Sequence, residues 1–480
     1  MNRRMVLNIL GRMLKVEAVL LLMPALVSAV YRESSIWPFL MTASFSFIIG
    51  ILLQLLSKPR KTVIYAKEGF IIVALVWISI SLIGCLPFVI SGEIPNFIDA
   101  FFETVSGFTT TGASVLKDVE ILSHGMLFWR SFTHWVGGMG ILVFVMAIIP
   151  NLSDRTIHIM RAEMPGPVVD KIVPRVKQTA KILYLIYLVI TLTEIVLLLA
   201  GGMPLFDSVV HSFGTAGTGG FGIKRDSISS YSSYCQWVIA VFMMLFGVNF
   251  NIYYLILVKK FKNILKSTEL WTYISIMLAG TVIVTVNNID IYRKISVSAR
   301  HSFFQVSSIM TTTGYSTADF DRWHGLSKTV LFILMFIGAC AGSTGGGLKV
   351  SRLVLLLKAT VNEIKRLLRP RSVSSIRFEG KQADETTINS VNRYFVAYIL
   401  CFVVAFLLIS FENFGLETNI SATAACFNNI GPGFGGVGPA LNYGLYSGFS
   451  KMVLSVSMLL GRLEIFPILI FFLPAAWKRN

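Results

Sequence analysis

Charged residues are scarce in this chain of 480 residues. Asp, Glu, Lys and Arg together make up 14% of it, against roughly 25% in ordinary soluble domains. Hydrophobic residues make up 54%, and the mean hydropathy is +0.71. Several apolar runs reach the roughly 20 residues that are needed to cross a bilayer. These features exclude an ordinary soluble protein and predict an all-α membrane protein.

Clusters of catalytic or metal-binding side chains are also lacking. The five cysteines form no C-x-x-C pair, which argues against a disulfide framework or a zinc site. The histidines are scattered without metal-ligand spacing, so we expect structural or surface roles for them. No pair of acidic residues stands out for acid–base catalysis. A membrane-embedded enzyme is therefore a remote alternative.

The chain also has no complete nucleotide-binding motif. The runs GTGGFG at Gly217 and GPGFGG at Gly431 fit G-x-G-x-x-G, but neither follows a β-strand of a βαβ unit. The run GSTGGGLKV at Gly342 misses the phosphate-loop pattern, because Leu348 is found where that pattern has lysine. We expect no organic cofactor in this chain, and any nucleotide sensing should belong to a partner.

Ten apolar spans are present, and the basic residues between them indicate an orientation. Lys and Arg concentrate after the second, fourth, sixth and eighth spans and at the chain end. If the spans alternate, these stretches share one side, which predicts cytoplasmic termini. The net charge of +17 is then a topology signal rather than a sign of nucleic-acid binding. The spans lie near residues 7–30, 36–57, 69–91, 125–150, 181–201, 236–258, 270–288, 329–348, 393–411 and 452–477.

Four of the outer loops contain the same unit, a short apolar segment that ends in a glycine-rich turn. Segments of 10–14 apolar residues are typical of re-entrant helices, and irregular backbone at membrane depth needs protein or a watery cavity around it. The pattern predicts four re-entrant pore helices with filter loops, in four pseudo-symmetric repeats around one pore. The four segments occupy residues 96–114, 204–222, 296–317 and 420–436.

The glycine turns have the composition of an ion filter. Glycine reaches positive φ without steric cost, and four loops that present backbone carbonyls to one axis can replace the hydration shell of K⁺. Gly219 and Gly220 compete for the filter position in the second turn, and the fourth turn, NNIGPG, departs most from TTTG. Glu103, beside the first turn, could attract cations or brace the pore helix. The predicted K⁺ filter residues are Thr110, Thr111, Gly112, Thr218, Gly219, Gly220, Thr312, Thr313, Gly314, Asn429, Ile430 and Gly431.

Six motifs spread over most of the chain resemble those of a known group. They are SGFTTTGAS, FWRSFTHWVGGMGI, SSIMTTTGYST, IGACAGSTGGGLKVSRL, NNIGPGFG and MLLGRLEIFP. The chain resembles the Trk/Ktr/HKT superfamily of potassium transporters, and within it the bacterial TrkH/TrkG type of membrane subunit. The two extra N-terminal spans are similar to those of that type.

The resemblance implies a homodimer in the lipid of the bacterial inner membrane, with one pore per protomer. It also implies a cytosolic ring of regulatory subunits that bind NAD(H), ATP or ADP. In the plant branch, serine at the position of Gly112 is associated with sodium transport, so glycine here favours potassium. Basic cytoplasmic segments, including residues 348–381, are expected to dock the regulator.

The eighth predicted span contains GACAGSTGGG, residues 338–347. Each glycine costs roughly 1 kcal/mol against alanine inside a helix, so this cluster should unwind the span. In the family the matching segment is an intramembrane gate, and an arginine that matches Arg462 faces the pore below the filter. The alternatives are a helix end at the membrane boundary and, for Arg462, a buried ion pair with another helix. The predicted gate residues are Ala341, Gly342, Ser343, Thr344, Gly345, Gly346, Gly347 and Arg462.

These predictions divide the chain into five parts and favour one function. We expect potassium uptake through the filter and the gate, without nucleic-acid binding. A symporter that couples K⁺ to Na⁺ or H⁺ is the alternative, and a non-transporting scaffold would leave the four turns unexplained. The parts are 1–66 (two N-terminal helices), 67–178 (repeat 1), 179–268 (repeat 2), 269–390 (repeat 3 with the gate loop and a cytoplasmic segment) and 391–480 (repeat 4).

Overall fold

The computed structural model describes residues 3–57, 66–140, 176–370 and 375–478. Within these ranges the regular structure is helical apart from one short hairpin. The helices are α1 (Arg3–Leu20), α2 (Leu22–Val30), α3 (Ile36–Leu56), α4 (Ala66–Gly84), α5 (Leu86–Ser91), α6 (Phe97–Phe108), α7 (His124–Gly138), α8 (Val176–Ala200), α9 (Leu205–Gly217), α10 (Ser233–Phe246), α11 (Phe250–Leu257), α12 (Phe261–Leu265), α13 (Thr268–Asn287), α14 (Ile289–Tyr292), α15 (Ile295–Met310), α16 (Gly325–Phe336), α17 (Val350–Leu368), α18 (Glu385–Ile409), α19 (Leu416–Phe427), α20 (Gly448–Arg462), α21 (Phe466–Phe472) and α22 (Pro474–Trp477).

Six spans of the described part are long and apolar enough to cross a membrane, or seven if α10 and α11 count as one. The protein is therefore a helical membrane protein, as the composition predicts. Several predicted spans are not continuous helices here. For example, α16 ends at Phe336 and α20 ends at Arg462, each inside its predicted span, whereas residues 141–150 of the fourth predicted span lie outside the described residues. The count of ten spans stays a prediction.

Two of the helix breaks were not expected from the sequence. The axis turns by 90° between α10 and α11, where the side chain of Asn249 caps α11 by accepting a hydrogen bond of 2.9 Å from the Asn251 N–H. The last span breaks after α20 because Glu464 and Ile465 have φ of 53° and 68°. A positive φ at a β-branched residue such as isoleucine is strained, so neighbouring contacts must hold it.

Four short helices, α6, α9, α15 and α19, contain 12, 13, 16 and 12 residues. At 1.5 Å per residue none of them reaches the roughly 30 Å of a bilayer core. Each packs between two helices that precede and follow it in the chain. The flanking pairs are α4 and α7, α8 and α10, α13 and α16, and α18 and α20.

The N-terminal helices and the hairpin contact different parts of the fold. The helices α1 and α3 meet closely at Gly11 and Gly50, where a Cβ on Gly11 would lie 2.7 Å from the Gly50 carbonyl oxygen. The hairpin has the strands β1 (Arg377–Phe378) and β2 (Lys381–Gln382). Its turn residues, Glu379 and Gly380, have φ of 50° and 74°. Positive φ at both residues is typical of the tight two-residue turns that connect the strands of a β-hairpin.

Candidate functional site

The four short helices end in turns with the same backbone conformation. In each turn a non-glycine residue adopts positive φ, and a glycine with positive φ follows two positions later. The φ values are 57° at Thr110, 55° at Thr218, 59° at Thr312 and 57° at Asn429, then 77° at Gly112, 70° at Gly220, 87° at Gly314 and 98° at Gly431. Gly220, rather than Gly219, is thus the conformational equivalent of the other three glycines.

The turns also share their hydrogen bonds. One N–H in each turn donates to the carbonyl oxygen five residues earlier, which is the Schellman arrangement that ends many helices. Glycine normally fills its left-handed position, whereas three of these turns have the β-branched threonine there, at a cost in strain. The bonds are Thr111 to Ser106, Gly219 to Gly214, Thr313 to Ser308 and Ile430 to Ala425, each of 2.8 Å.

The four turns close into one ring, which we call the glycine ring (residues 110–112, 218–220, 312–314 and 429–431). Each glycine abuts the carbonyl of the residue that precedes the glycine of the next turn. No side chain fits at these positions, so the spacing of the turns requires glycine. A Cβ would lie 1.9 Å from the Gly219 oxygen at Gly112, 2.0 Å from that of Thr313 at Gly220, 2.0 Å from that of Ile430 at Gly314 and 2.7 Å from that of Thr111 at Gly431.

The ring has the electrostatics of a cation site. The carboxyl ends of four helices meet there, and such ends have partial negative charge. The ring glycines line one side of a cavity of about 140 Å³, which we call the vestibule. The hydroxyls of Thr109 and Thr111 are 2.8 Å apart, and the Asn429 amide donates to the Thr111 hydroxyl over 2.9 Å. This amide therefore ties the fourth turn to the first.

A buried ion pair braces the first two turns from behind. Arg130 on α7 pairs with Glu103 on α6 at 2.7 Å, with side-chain exposures of 2% and 0%. The same carboxylate accepts hydrogen bonds from the Ser114 hydroxyl and the Val115 N–H, at 2.9 Å and 3.0 Å. Arg130 also donates to the Gly222 carbonyl at 3.2 Å. Because Glu103 is buried and fully engaged, it braces the turns rather than attracting cations from the vestibule.

Sequence reasoning missed two further residues that hold the ring, His134 and Tyr315. His134 on α7 is fully buried and stacks on Phe221, with ring centroids 4.3 Å apart. Tyr315 follows the third turn. Its hydroxyl donates to the His211 carbonyl on α9, the helix that ends in the second turn, at 3.1 Å. One signal was available for His134, since Gly219 replaces the threonine that the first and third turns have at this position.

The glycine-rich segment of residues 338–347, which includes the predicted gate residues 341–347, forms an irregular loop against the ring, which we call the intramembrane loop. Its two ends are joined where the Gly338 N–H donates to the Leu348 carbonyl at 2.8 Å. The Gly346 N–H donates to the Thr312 hydroxyl at 2.6 Å, and a Cβ on Gly346 would lie 2.6 Å from the Asn428 oxygen. The loop thus touches the third and fourth quarters of the ring, on the side of the helix carboxyl ends.

Side-chain cations hold the intramembrane loop. Arg462, at the end of α20, donates to the Thr344 carbonyl at 2.7 Å and to the Gly137 and Gly138 carbonyls at 2.5 Å each. A buried ion pair lies close by, where Glu464 pairs with Arg352 of α17. Lys349, which sequence reasoning did not single out, donates from its ammonium group to the carbonyls of Gly345 and Gly346.

A second carboxylate fastens both flanks of the loop. Glu269, near the start of α13 and 6% exposed, accepts the Ala341 N–H at 2.7 Å and the Ser351 N–H at 3.1 Å. The hairpin reaches the same place, since the Glu379 carboxylate accepts the Glu269 N–H at 3.0 Å. A continuous chain of polar contacts therefore joins the hairpin to the intramembrane loop.

Comparisons with known proteins agree over the whole chain. The model of the family described as "TrkH: Cation transport protein" matches residues 38–479. The Trk system potassium uptake protein TrkH of Salmonella typhimurium is 37% identical over 487 residues, covering 100% of both chains. The Trk system potassium uptake protein TrkG of Escherichia coli is 34% identical over 484 residues, covering 99% of both. The crystal structure of the potassium transporter TrkH from Vibrio parahaemolyticus superposes with a TM-score of 0.90, at 35% identity and 100% coverage of both chains.

Proposed function

The chain belongs to the TrkH family of cation transport proteins, and we propose that it takes up potassium ions through the glycine ring. Family membership makes the chain a transporter and not an enzyme. The names of its relatives, which are potassium uptake proteins, support the choice of ion. The observation that carries the proposal is the closed ring, in which each glycine abuts a carbonyl of the next turn.

The ring carbonyls supply the selectivity. An ion that leaves the vestibule loses water and gains backbone oxygens from four sides, as in other potassium filters. The oxygens cannot relax freely, because each turn is fixed by its neighbours and by the Arg130–Glu103 pair. Potassium is therefore favoured over sodium. The four ring positions whose Cβ would meet a carbonyl of the next turn are all glycine.

The intramembrane loop is the gate. It packs against the ring by the Gly346–Thr312 hydrogen bond and is held by Arg462, whose positive charge lies next to the ion path and repels cations. Arg462 also borders a small cavity together with Gly345, Gly346 and Gly138. For an ion to pass, the loop has to give up these contacts and move aside.

A cytosolic regulatory ring that binds nucleotides controls this gate, and the hairpin transmits its state. The support is the chain of contacts from Glu379 to Glu269 and from Glu269 to Ala341 and Ser351. A regulator that moves the basic segment of residues 348–381 would pull on both flanks of the loop. In this arrangement both termini are cytoplasmic, the protein is a homodimer in the bacterial inner membrane, and each protomer has one pore.

The packing of the short helices supports the division into four repeats of membrane helix, pore helix and membrane helix. Each short helix packs against two other helices that flank it in sequence. The boundaries near residues 67, 179, 269 and 391 fall within the first seven residues of α4, α8, α13 and α18, the helices that open the four units. The two helical spans before residue 66 pack outside these units, where α1 contacts α3 and α4.

The test is radioactive Rb⁺ uptake into liposomes that contain the purified protein, driven by a K⁺ gradient. Uptake that K⁺ blocks far better than Na⁺ is the expected result. Wild-type protein with its gate shut gives little uptake, so Arg462→Ala and a variant with a shortened loop are measured in parallel. If all three proteins insert and none transports Rb⁺, the proposed pathway is wrong.

A coupled symporter is a second candidate, and one observation favours it. Glu194, on the membrane helix α8, is fully buried beside the second short helix. Carboxylates inside the membrane are costly and are often part of proton pathways. Proton movement measured together with Rb⁺ uptake decides between the two candidates. Coupled H⁺ entry that is lost in Glu194→Gln would favour the symporter, whereas uptake without H⁺ movement favours the channel.

A further inference from the structure

Three successive carbonyls of the intramembrane loop face cationic side chains. The Thr344 carbonyl accepts from the Arg462 guanidinium at 2.7 Å. The Gly345 and Gly346 carbonyls both accept from the Lys349 ammonium, the second of them at 3.4 Å. Lys349 is only 8% exposed. A buried ammonium needs such partners, because an isolated charge in an apolar environment is very unfavourable.

These carbonyls present the chemistry of a cation site. Successive backbone oxygens that point the same way are what a potassium filter uses, and glycine permits the tight backbone that this requires. Gly342 and Gly347, on either side, have φ of 71° and 68°. An ammonium group has the same charge as K⁺ and a similar size, and it is a compact donor with three N–H groups.

The site opens onto a cavity that an ion could enter. Gly345, Gly346, Lys349 and Arg462 line a space of about 50 Å³, while one water molecule needs roughly 10–15 Å³ of such volume. Glu464 borders the same space, where its carboxylate is paired with Arg352. The cavity therefore has room for a small hydrated cation once the ammonium has left.

We propose that the Gly345 and Gly346 carbonyls form a second monovalent-cation site, which the Lys349 ammonium fills in the closed state. The lysine and a K⁺ ion then exclude each other at this site. This proposal rests on the ion pathway proposed above. Lys349 is the residue that precedes α17, so a displacement of α17 withdraws the ammonium and leaves the carbonyls to the ion.

The direct test is crystallographic, with Tl⁺ as an electron-dense substitute for K⁺. Lys349→Met removes the charge and keeps the length of the side chain. We expect Tl⁺ at the Gly345 and Gly346 carbonyls in Lys349→Met, and none there in the wild type. Tl⁺ in the glycine ring of both proteins serves as the internal control. Density in the ring but not at the loop carbonyls of Lys349→Met overturns this proposal, whereas an empty ring in both overturns the ion pathway itself.

Solution measurements extend the test. Lys349→Met should raise Rb⁺ uptake several-fold without a regulator, and added K⁺ should raise its unfolding temperature more than that of the wild type, because a ligand stabilises the state that binds it. Lys349→Arg keeps the charge and should stay closed. Lys181→Met, at an exposed position on α8, controls for the loss of a lysine. If Lys349→Met does not fold, Lys349→Gln replaces it, and equal K⁺ effects in mutant and wild type contradict the proposal.

Discussion

The imidazole ring of His134 occupies the space that a side chain on Gly219 would need. A Cβ on Gly219 would lie 2.3 Å from the Cγ atom of His134. In the first and third turns the matching positions are Thr111 and Thr313, whose hydroxyls bond to a neighbouring threonine within the turn. In the second turn, His134 of α7 therefore fills the space beside Gly219. In the first and third turns, a threonine of the turn itself fills the matching space.

This relationship makes the two positions dependent on each other. Gly219→Ala should destabilise the wild type by about 1–3 kcal/mol, the usual cost of overpacking. The same substitution should destabilise the His134→Ala protein much less. A double-mutant cycle on thermal unfolding in detergent measures the coupling, which we expect between about 0.5 and 3 kcal/mol. Additive effects of the two substitutions would contradict the contact.

Gly112→Ser should lower the preference for K⁺ over Na⁺. The new Cβ would meet the Gly219 oxygen at 1.9 Å, so that oxygen has to move and the ring changes its spacing. Gly92→Ser is the matched control, because Gly92 also has a φ of 77° but no atom within 4 Å of its Cβ position. Competition of Rb⁺ uptake by Na⁺ is the measurement. Equal K⁺ over Na⁺ selectivity in both variants would show that Gly112 does not determine the spacing of the glycine ring.

Glu103→Gln should destabilise the protein and weaken ion selectivity together. Removal of one partner leaves Arg130 buried without its counter-charge, which typically costs about 3–5 kcal/mol. Glu417→Gln on α19 is the control, since Glu417 is 59% exposed and its partner Lys328 keeps a second contact with Asp321. Unfolding and Na⁺ competition are measured for both variants. A change in Glu103→Gln no larger than in the control would exclude the bracing role.

Glu269→Gln should raise Rb⁺ uptake in the absence of a regulator. A neutral amide is a weaker acceptor for the Ala341 and Ser351 N–H groups, so both flanks of the intramembrane loop are held less firmly. Glu379→Gln should have a smaller effect in the same direction, because it acts through Glu269. Glu363→Gln, at an exposed site on α17, is the control. Unchanged uptake in Glu269→Gln would mean that this carboxylate does not restrain the loop.

Glu33 should make the attachment of the N-terminal helices sensitive to acid. Burial alone would raise the pKa of its carboxyl, but hydrogen bonds from the His124 and Gly125 N–H groups and from the His124 ring outweigh burial and lower the pKa. A lowered pKa means that this stabilisation is present above the unfolded value of about 4.3 and is lost as the pH falls through the folded value. The unfolding temperature of Glu33→Gln should therefore fall less than that of the wild type between pH 6 and pH 3, and parallel curves would contradict this.

The repeated turns of the fold could be predicted from the sequence. The contacts between residues that are distant in the sequence could not. Four glycine turns at similar spacing were visible because their chemistry is repeated, and the structure gives all four one backbone conformation. The sequence could not separate Gly219 from Gly220, since both are free to adopt positive φ. The break at residues 247–249 was missed because a single glycine inside an apolar span is a weak signal, whereas ten residues rich in glycine at the intramembrane loop are a strong one.

Contacts between distant parts of the chain lay beyond prediction for a different reason. The bonds of Glu269 to Ala341 and Ser351 span 72 and 82 positions and depend on how α13 packs beside the intramembrane loop and α17. Nothing in the local sequence of Glu269 specifies that packing. The same holds for Tyr315 and His211, which are 104 positions apart and meet behind the ring.

Because a single chain supplies all four quarters of the ring, a substitution alters one quarter and leaves three intact. In a pore built from four identical subunits, the same change would appear four times. The order of contacts here makes the first turn a neighbour of the second and the fourth, with the third opposite. The number and the arrangement of altered quarters are thus separate variables. Variants with two changed neighbours can be compared with variants changed across the diagonal, and their difference measures how far a distortion travels around the ring.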